Sequence, residues 1–310
     1  MTPLQSTFYS LFYIIFFPFC SKAQEDWKLD APNWKTENLK GRVRIIEEKS
    51  FVGKEQNGTY VVVKPGWEST WEKDSKTYFD SVGNLVKVDF YQLGKVLRTE
   101  YFTYQNSKLI ERFRLYHHSF YDYDSYGKII RERYRFISDK KKPTLYLIEY
   151  VYDAAGNLIV KNESDSLKNV LGIDSIFYNQ QNKPIKMLSY HQDRMDFQYV
   201  KYDVNGNVQE LILGDDEDGL AEKFSFTYEN DQLKMEDWTL YIDNEMDGKV
   251  ISYFEDRNEV KVMETDKDGE VTNTSLSSYE FDQLGNWIKR TNKNSKDNSV
   301  YIIQRKITYF

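Results

Sequence analysis

The chain has 310 residues, with 42 Lys and Arg against 49 Asp and Glu, a net charge of −7, and 16% aromatic side chains. A net-negative chain argues against nucleic acid as a partner, because phosphate binding needs a basic surface. A single cysteine, Cys20, excludes a disulfide framework and any cysteine-ligated zinc within the chain.

Residues Met1 to Phe19 are apolar and aromatic, too short a run for an ordinary transmembrane helix of about 20 residues. The run suits the apolar region of a signal peptide. Ser21-Lys22-Ala23 sets small residues where a signal peptidase reads, so export with cleavage before Gln24 is expected. Periplasm, cell surface and external medium are the compartments this implies. The alternative is a lipoprotein with Cys20 acylated, but Phe17-Pro18-Phe19 is a poor lipobox. No second apolar span follows, so no transmembrane segment is expected after cleavage.

Residues 24–38 are polar, with Trp27, Pro32 and Trp34, and predict an N-terminal arm. From Leu39 to Phe310 the spacing predicts one domain without a flexible linker. Its first strand begins near Leu39, and a second, Thr59 to Lys64, follows the hairpin turn Asn57-Gly58 and stops at Pro65-Gly66. Trp67 and Trp71 then interrupt the pattern. Capping of the sheet end is the first expectation for them, and a stacking platform for a sugar or protein is the second.

A six-residue phrase recurs beyond that point: aromatic, Asp, two variable residues, Gly, then Asn or Lys. It starts at Phe79, Tyr123, Tyr152, Tyr202 and Phe281. Asp80, Asp124, Asp153, Asp203 and Asp282 fit the first position of a type I turn. Gly83, Gly127, Gly156, Gly206 and Gly285 fit the left-handed position that closes a bulged hairpin. Two variants put Asn182 and Asn258 where Gly stood, and Asn is the next-best left-handed residue. Tyr104-Gln105-Asn106-Ser107 and Tyr228-Glu229-Asn230-Asp231 are shorter and predict two-residue turns. Further turns between repeats are expected at Leu93-Gly94, Asp247-Gly248 and Asp268-Gly269. Spacing of roughly 25 residues marks a repeat array, each unit too small to bury a core alone. Between turns the chain alternates with period 2, as in Ile130, Tyr134 and Phe136 against Arg131, Arg133 and Arg135. The fold class expected is all-β: an antiparallel meander of repeated hairpins forming one long curved or spiralled open sheet.

The Tyr-Asp-x-x-Gly-Asn units resemble the YD repeats of Rhs-type bacterial proteins. The whole chain resembles small exported bacterial proteins with a Leu-x-Gly-x-Val opening, matched from Leu39, and an Asp-x-x-Gly-Asn-Trp-x-Lys-Arg close, matched by Asp282 to Arg290. The resemblance implies a repeat architecture and no particular activity. Rhs proteins wind many more repeats into a hollow shell around a toxin. This chain is far shorter, so an open sheet is expected in place of an enclosing shell.

Chemistry is sparse. His117 and His118 are adjacent, so a strand would point them to opposite faces, and His191 has no nucleophile elbow near it. The acidic run Asp215 to Asp218 suggests calcium, with Asp216 and Asp218 the best candidates, but it lacks the full spacing of a calcium loop. No catalytic set and no cofactor are expected. The residues therefore predict an exported, non-catalytic β-repeat scaffold that binds a protein or glycan on its sheet face. The alternatives are a carbohydrate-active hydrolase using an acidic pair and a purely structural envelope protein.

Overall fold

The structure is a computed structural model that describes residues 32–66, 74–114, 116–137, 145–191 and 194–310. The leader expected over 1–23, Cys20, and both Trp67 and Trp71 lie outside the described residues.

Among the described residues, twenty-one strands form one antiparallel sheet. In chain order they are β1 (Val43–Gln56), β2 (Thr59–Pro65), β3 (Ser75–Phe79), β4 (Leu85–Gln92), β5 (Lys95–Gln105), β6 (Lys108–Arg114) and β7 (His117–Tyr123). Next come β8 (Ile129–Phe136), β9 (Leu145–Tyr152), β10 (Leu158–Asp165), β11 (Val170–Tyr178), β12 (Pro184–His191), β13 (Arg194–Tyr202) and β14 (Val208–Asp215). The last are β15 (Gly219–Glu229), β16 (Gln232–Ile242), β17 (Glu245–Glu255), β18 (Asn258–Asp266), β19 (Val271–Phe281), β20 (Trp287–Asn294) and β21 (Val300–Tyr309).

From β3 to β21 each strand pairs with its sequence neighbour, as hairpin turns demand. The expected open sheet is corrected at its ends. β1 pairs along one edge with β21, from Val43↔Tyr309 to Gly53↔Val300, and along the other with β3, from Ile45↔Tyr78 to Glu48↔Ser75. Twenty strands therefore close a barrel, and β2 hangs as a spur on the far half of β1. Closure satisfies the two edges that an open meander would leave unpaired. Strands spaced about 4.8 Å apart and tilted by some 40° give a ring about 40 Å across between backbones. Every substantial strand contact is with a hydrogen-bonded neighbour, so the wall is one layer thick.

Register sorts the side chains into two faces. Phe79, Val88, Phe102, Tyr121, Ile176, Val200, Leu211, Phe224 and Phe226 are buried and share one face. Curvature crowds side chains together on a concave surface, so this face lines the lumen and the opposite face is the outer wall.

The repeated phrase builds one rim. Asp80 Oδ1 accepts from the Val82 and Asn84 amides at 3.0 and 2.9 Å, and the Gly83 amide donates to the Asp80 carbonyl at 3.1 Å. Asp124, Asp153, Asp203 and Asp282 accept in the same way. Gly83, Gly127, Gly156, Gly206 and Gly285 all have positive φ, and Asn182 sits at φ 58°. Asn258 does not: its turn is the two-residue Asp256-Arg257, at φ 47° and 66°, and Asn258 begins β18. Here Asp-Arg closes a tight turn without glycine, so the Asn is not needed for a left-handed step. Asp247-Gly248 likewise lies inside β17, because Asp243-Asn244 (φ 51° and 63°) makes that turn first.

Neighbouring turns are stitched together. The hydroxyls of Tyr123, Tyr152, Tyr178 and Tyr202 donate to the carbonyls of Leu109, Ile129, Leu158 and Pro184 at 2.6 to 2.8 Å, within the first two residues of the strand after the preceding turn. Burial raises the pKa of all four phenols, that of Tyr202 to about 12. Lys183 Nζ reaches forward to the Gly206 carbonyl at 2.8 Å and lies 5.0 Å from the Tyr202 ring centre. From the β5–β6 turn to the β13–β14 turn, the repeat spacing is thus read out as a belt in which each turn holds the next.

The described part of the arm locks the seam where the ring closes. The Leu85 amide donates to the Pro32 carbonyl at 2.9 Å. Trp34 packs on the core beside Val43 and donates from Nε1 to the Val43 carbonyl at 2.7 Å. Across the seam, Asn286 accepts from the Lys40 amide at 2.8 Å and donates to the Lys40 carbonyl at 2.8 Å.

Candidate functional site

The lumen wall gathers the polar groups that the belt does not use. On β15 to β18, Glu222, Phe224 and Phe226 stand beside Leu240, Trp238 and Glu236, and Glu236 pairs onward with Ser252. Trp238 stacks on Phe224 with ring centres 5.8 Å apart and planes 5° from parallel. Ser252 Oγ donates to Glu259 Oε2 at 3.2 Å, and Asn273 Nδ2 donates to Glu264 Oε1 at 3.0 Å. Alternation explains why four acids arrive on this wall: each holds an inward position in its own strand.

Burial pushes the Glu236 carboxyl up to about 7, and the negative charge of Glu259 adds to the effect. Burial also raises Glu222. Glu236 is thus half protonated near neutrality beside a second carboxylate. A raised folded pKa means the folded state holds the proton more tightly than the unfolded chain. Stability from this group is complete below the ordinary carboxylate pKa and is lost as pH rises through about 7. Glu236→Gln is expected to stabilise the ring by about 3 kcal/mol at pH 8 and to leave it nearly unchanged at pH 4. Urea melts at both pH values check this, and equal shifts at the two would contradict it.

Another sector of the lumen wall carries arginines. Glu100 is buried and holds Arg114 at 2.8 Å and Arg98 at 3.5 Å. The Arg98 guanidinium lies 3.9 Å from the Phe90 ring centre. Next to them, His117 lies face to face with Tyr134 (5.6 Å) and edge-on to Phe136 (4.0 Å). Desolvation lowers the His117 pKa.

His117 and His118 do lie on opposite faces. On the outer wall His118 joins Glu111 Oε1 (2.7 Å) and Arg135 Nη2 (3.0 Å). His191 Nε2 stands 3.9 Å from Asp174 Oδ1. Asp216 and Asp218 are not brought together as ligands: Asp216 Oδ1 accepts from the Met195 amide at 3.0 Å, and the Asp218 amide donates to Asp215 Oδ1 at 2.7 Å. Asp215, which sequence reasoning passed over, organises that turn. It is buried, takes Arg194 Nη2 at 2.7 Å, and its pKa is lowered chiefly by the Asp218 amide. Among the described residues no three His, Cys, Asp or Glu side chains converge as a metal ion requires.

Glu236 and the stacked aromatics also escaped the sequence reading. With 49 acids in the chain, only the alternation phase of β16 could have singled out Glu236 as inward. A donor acid beside a carboxylate is what sugar hydrolysis uses. The pair stands on a single-layered wall, however, and the shallow recess of about 370 Å³ at Gln92–Leu97 belongs to the β4–β5 hairpin, not to this pair.

No family model matches this chain, and no curated protein does. Solved structures resemble it weakly. The Photorhabdus luminescens Tc holotoxin pore aligns at a TM-score of 0.35 and 11% identity, over 74% of this chain and 14% of that one. A TcdB2–TccC3 assembly without its hypervariable C-terminal region aligns at 0.36 and 10%, with the same coverage. This chain therefore spans 14% of the length of those toxin chains. A porin-like protein from Bacteroides uniformis aligns at 0.36 and 8% identity, over 86% of this chain and 96% of that one.

Proposed function

We propose that the chain is an exported, non-catalytic β-ring scaffold of the YD-repeat kind, soluble in water, that binds a protein or glycan on a face of its wall. The observation that carries the reading is the charge on both faces. Outward positions hold Glu47, Lys49, Lys76, Lys223, Lys249 and Lys261, and inward positions hold Glu48, Glu100, Glu236 and Arg290. A membrane barrel needs an outward apolar band about 25 Å tall, and a Lys or Arg at its midplane costs about 2–4 kcal/mol. The charges above interrupt such a band on β1, β3 and β15 to β18, while β9 to β13 turn Val151, Ile173, Phe177, Tyr190 and Tyr199 outward. The charged sectors suit water, and a one-layered wall suits broad contact.

The test is to express residues 24–310 without detergent. A monodisperse soluble ring that reproducibly captures a component of its native cell envelope supports the scaffold. A requirement for detergent, together with conductance across planar bilayers, would replace it with a pore.

A second reading, a carbohydrate-active hydrolase, is favoured by the raised Glu236 beside Glu259 alone. Turnover of aryl glycosides that Glu236→Gln abolishes would establish it.

A further inference from the structure

Inside the ring, β5 to β7 gather more positive charge than they neutralise. Register sets Phe90 beside Arg98, Val88 beside Glu100, Phe102 beside Arg112, Arg112 beside Ser119, and Arg114 beside His117, all on the lumen face. Among the described residues, the charged side chains on the inward face of these three strands are Arg98, Arg112 and Arg114 against Glu100. Glu100 serves two of them: Arg114 Nε lies 2.8 Å from one oxygen, and Arg98 Nε stands 3.5 Å from the other without making a hydrogen bond. Arg112 makes no ion pair among the described residues. Its guanidinium lies 5.8 Å from the Phe102 ring centre, and its buried Nε has no hydrogen-bond partner.

The next inward acids are already engaged. Glu132 on β8 accepts from the Tyr150 hydroxyl at 3.1 Å, and Glu163 on β10 accepts from that of Tyr134. With Glu132 counted, the sector from β5 to β8 still carries more cations than carboxylates. Buried donors without a partner are costly, and native structures keep few of them. Here two fall in one cluster, and both belong to guanidinia, whose planar forks match the oxygens of an oxyanion. Arg114 ends β6, His117 begins β7, and Arg98 is four residues into β5, so the cluster lies at the mouth opposite the belt.

We propose that Arg98, Arg112 and Arg114 bind a phosphate group on the lumen wall, either the free ion or a monoester on a larger molecule. A phosphate carries close to two negative charges at neutral pH, which balances three guanidinia against one Glu100. Its oxygens also offer the unpaired Nε donors what Glu100 does not supply. A carboxylate would bring only about half that charge. The site goes beyond the scaffold reading and does not depend on what the wall binds elsewhere.

Calorimetric titration of the ring spanning residues 24–310 tests it, with inorganic phosphate and glycerol phosphate as probes and acetate and glycerol as comparisons. The two phosphates should bind and compete with each other. Acetate should bind at least tenfold more weakly, and glycerol not at all. Affinity should fall as salt rises, and bound phosphate should raise the melting temperature of the ring. Arg112→Gln should weaken both probes at least tenfold, the loss expected for a charged hydrogen bond. Arg112→Lys keeps the charge without the fork and should lose less. Arg135→Gln, on the outer face of β8, should change nothing. Binding of inorganic phosphate without the ester would assign the site to the free ion, and the ester without inorganic phosphate to a larger ligand. Binding of neither probe, acetate binding as tightly as phosphate, or equal loss with Arg135→Gln would each overturn the proposal.

Discussion

Replacing Trp34 with alanine should lower the stability of the ring by about 3 kcal/mol, within the range for losing a large packed aromatic, and should open the ring at one place. The indole fills the junction beside Val43 and gives its only N–H to the Val43 carbonyl at 2.7 Å. It also meets Phe310 edge-on at 6.4 Å. From β3 to β21 each strand follows its ring neighbour in the chain, but β1 meets both β21 and β3 without a hairpin turn between them. Loss of the wedge is therefore concentrated at the seam. Hydrogen exchange should show early loss of protection in β1, β3 and β21, with β10 to β14 protected as before. Uniform loss around the ring would mean that Trp34 contributes only bulk burial.

The second large effect is expected at Gly83. Its φ is +100°, and a Cβ there would lie 2.6 Å from the Trp34 ring. Alanine must strain the backbone and displace an indole that is fixed by its own hydrogen bond. A cost of about 3 kcal/mol or more is expected from the two effects together. Two comparisons separate them. Gly58, at φ +75°, has open space around it, so Gly58→Ala should cost only the backbone strain of about 1 kcal/mol. Gly206, at φ +89°, faces the mobile end of Lys183, so Gly206→Ala should fall between. Thermal melts of the three variants check the order. A Gly83→Ala variant no worse than Gly58→Ala would remove Trp34 from the account.

How much of this could be read from residues alone follows from what each residue encodes. Asp80 and Gly83 carry their turn within six residues, so the hairpins and the near rim were legible. Asp165 builds the same turn with Lys168 at φ 66° in the glycine position, accepting from the Leu167 and Asn169 amides at 2.8 and 2.9 Å. Lysine gives no signal of a left-handed residue, so that turn stayed hidden. Closure was illegible for another reason. Alternation in β1 and β21 says that each is a strand, but nothing local says that Val43 will meet Tyr309. The open sheet was therefore the natural inference, and the pairing of β1 with both β21 and β3, far apart in the chain, decides otherwise. Glu236 was obscured by number: among many acids, only its phase in β16 and the burial that follows distinguish it. Asp216 Oδ1 accepts from the Met195 amide on the neighbouring strand, a contact that its place in the acidic run does not announce.

One consequence of the seam concerns size. β1 and β21 run antiparallel, and so does every pair between them. Removing one strand would bring the last strand alongside β1 in the same direction, and the ladder there could not form with the register it has. Removing a hairpin keeps the directions intact. The circumference can therefore grow or shrink only in steps of two strands, one repeat at a time. Duplication of a segment from one Tyr-Asp turn to the next would widen the lumen without breaking the belt, since the inserted tyrosine and turn meet the same chemistry on either side. In this sense the ring is countable, and its bore is set by how many times the phrase is written.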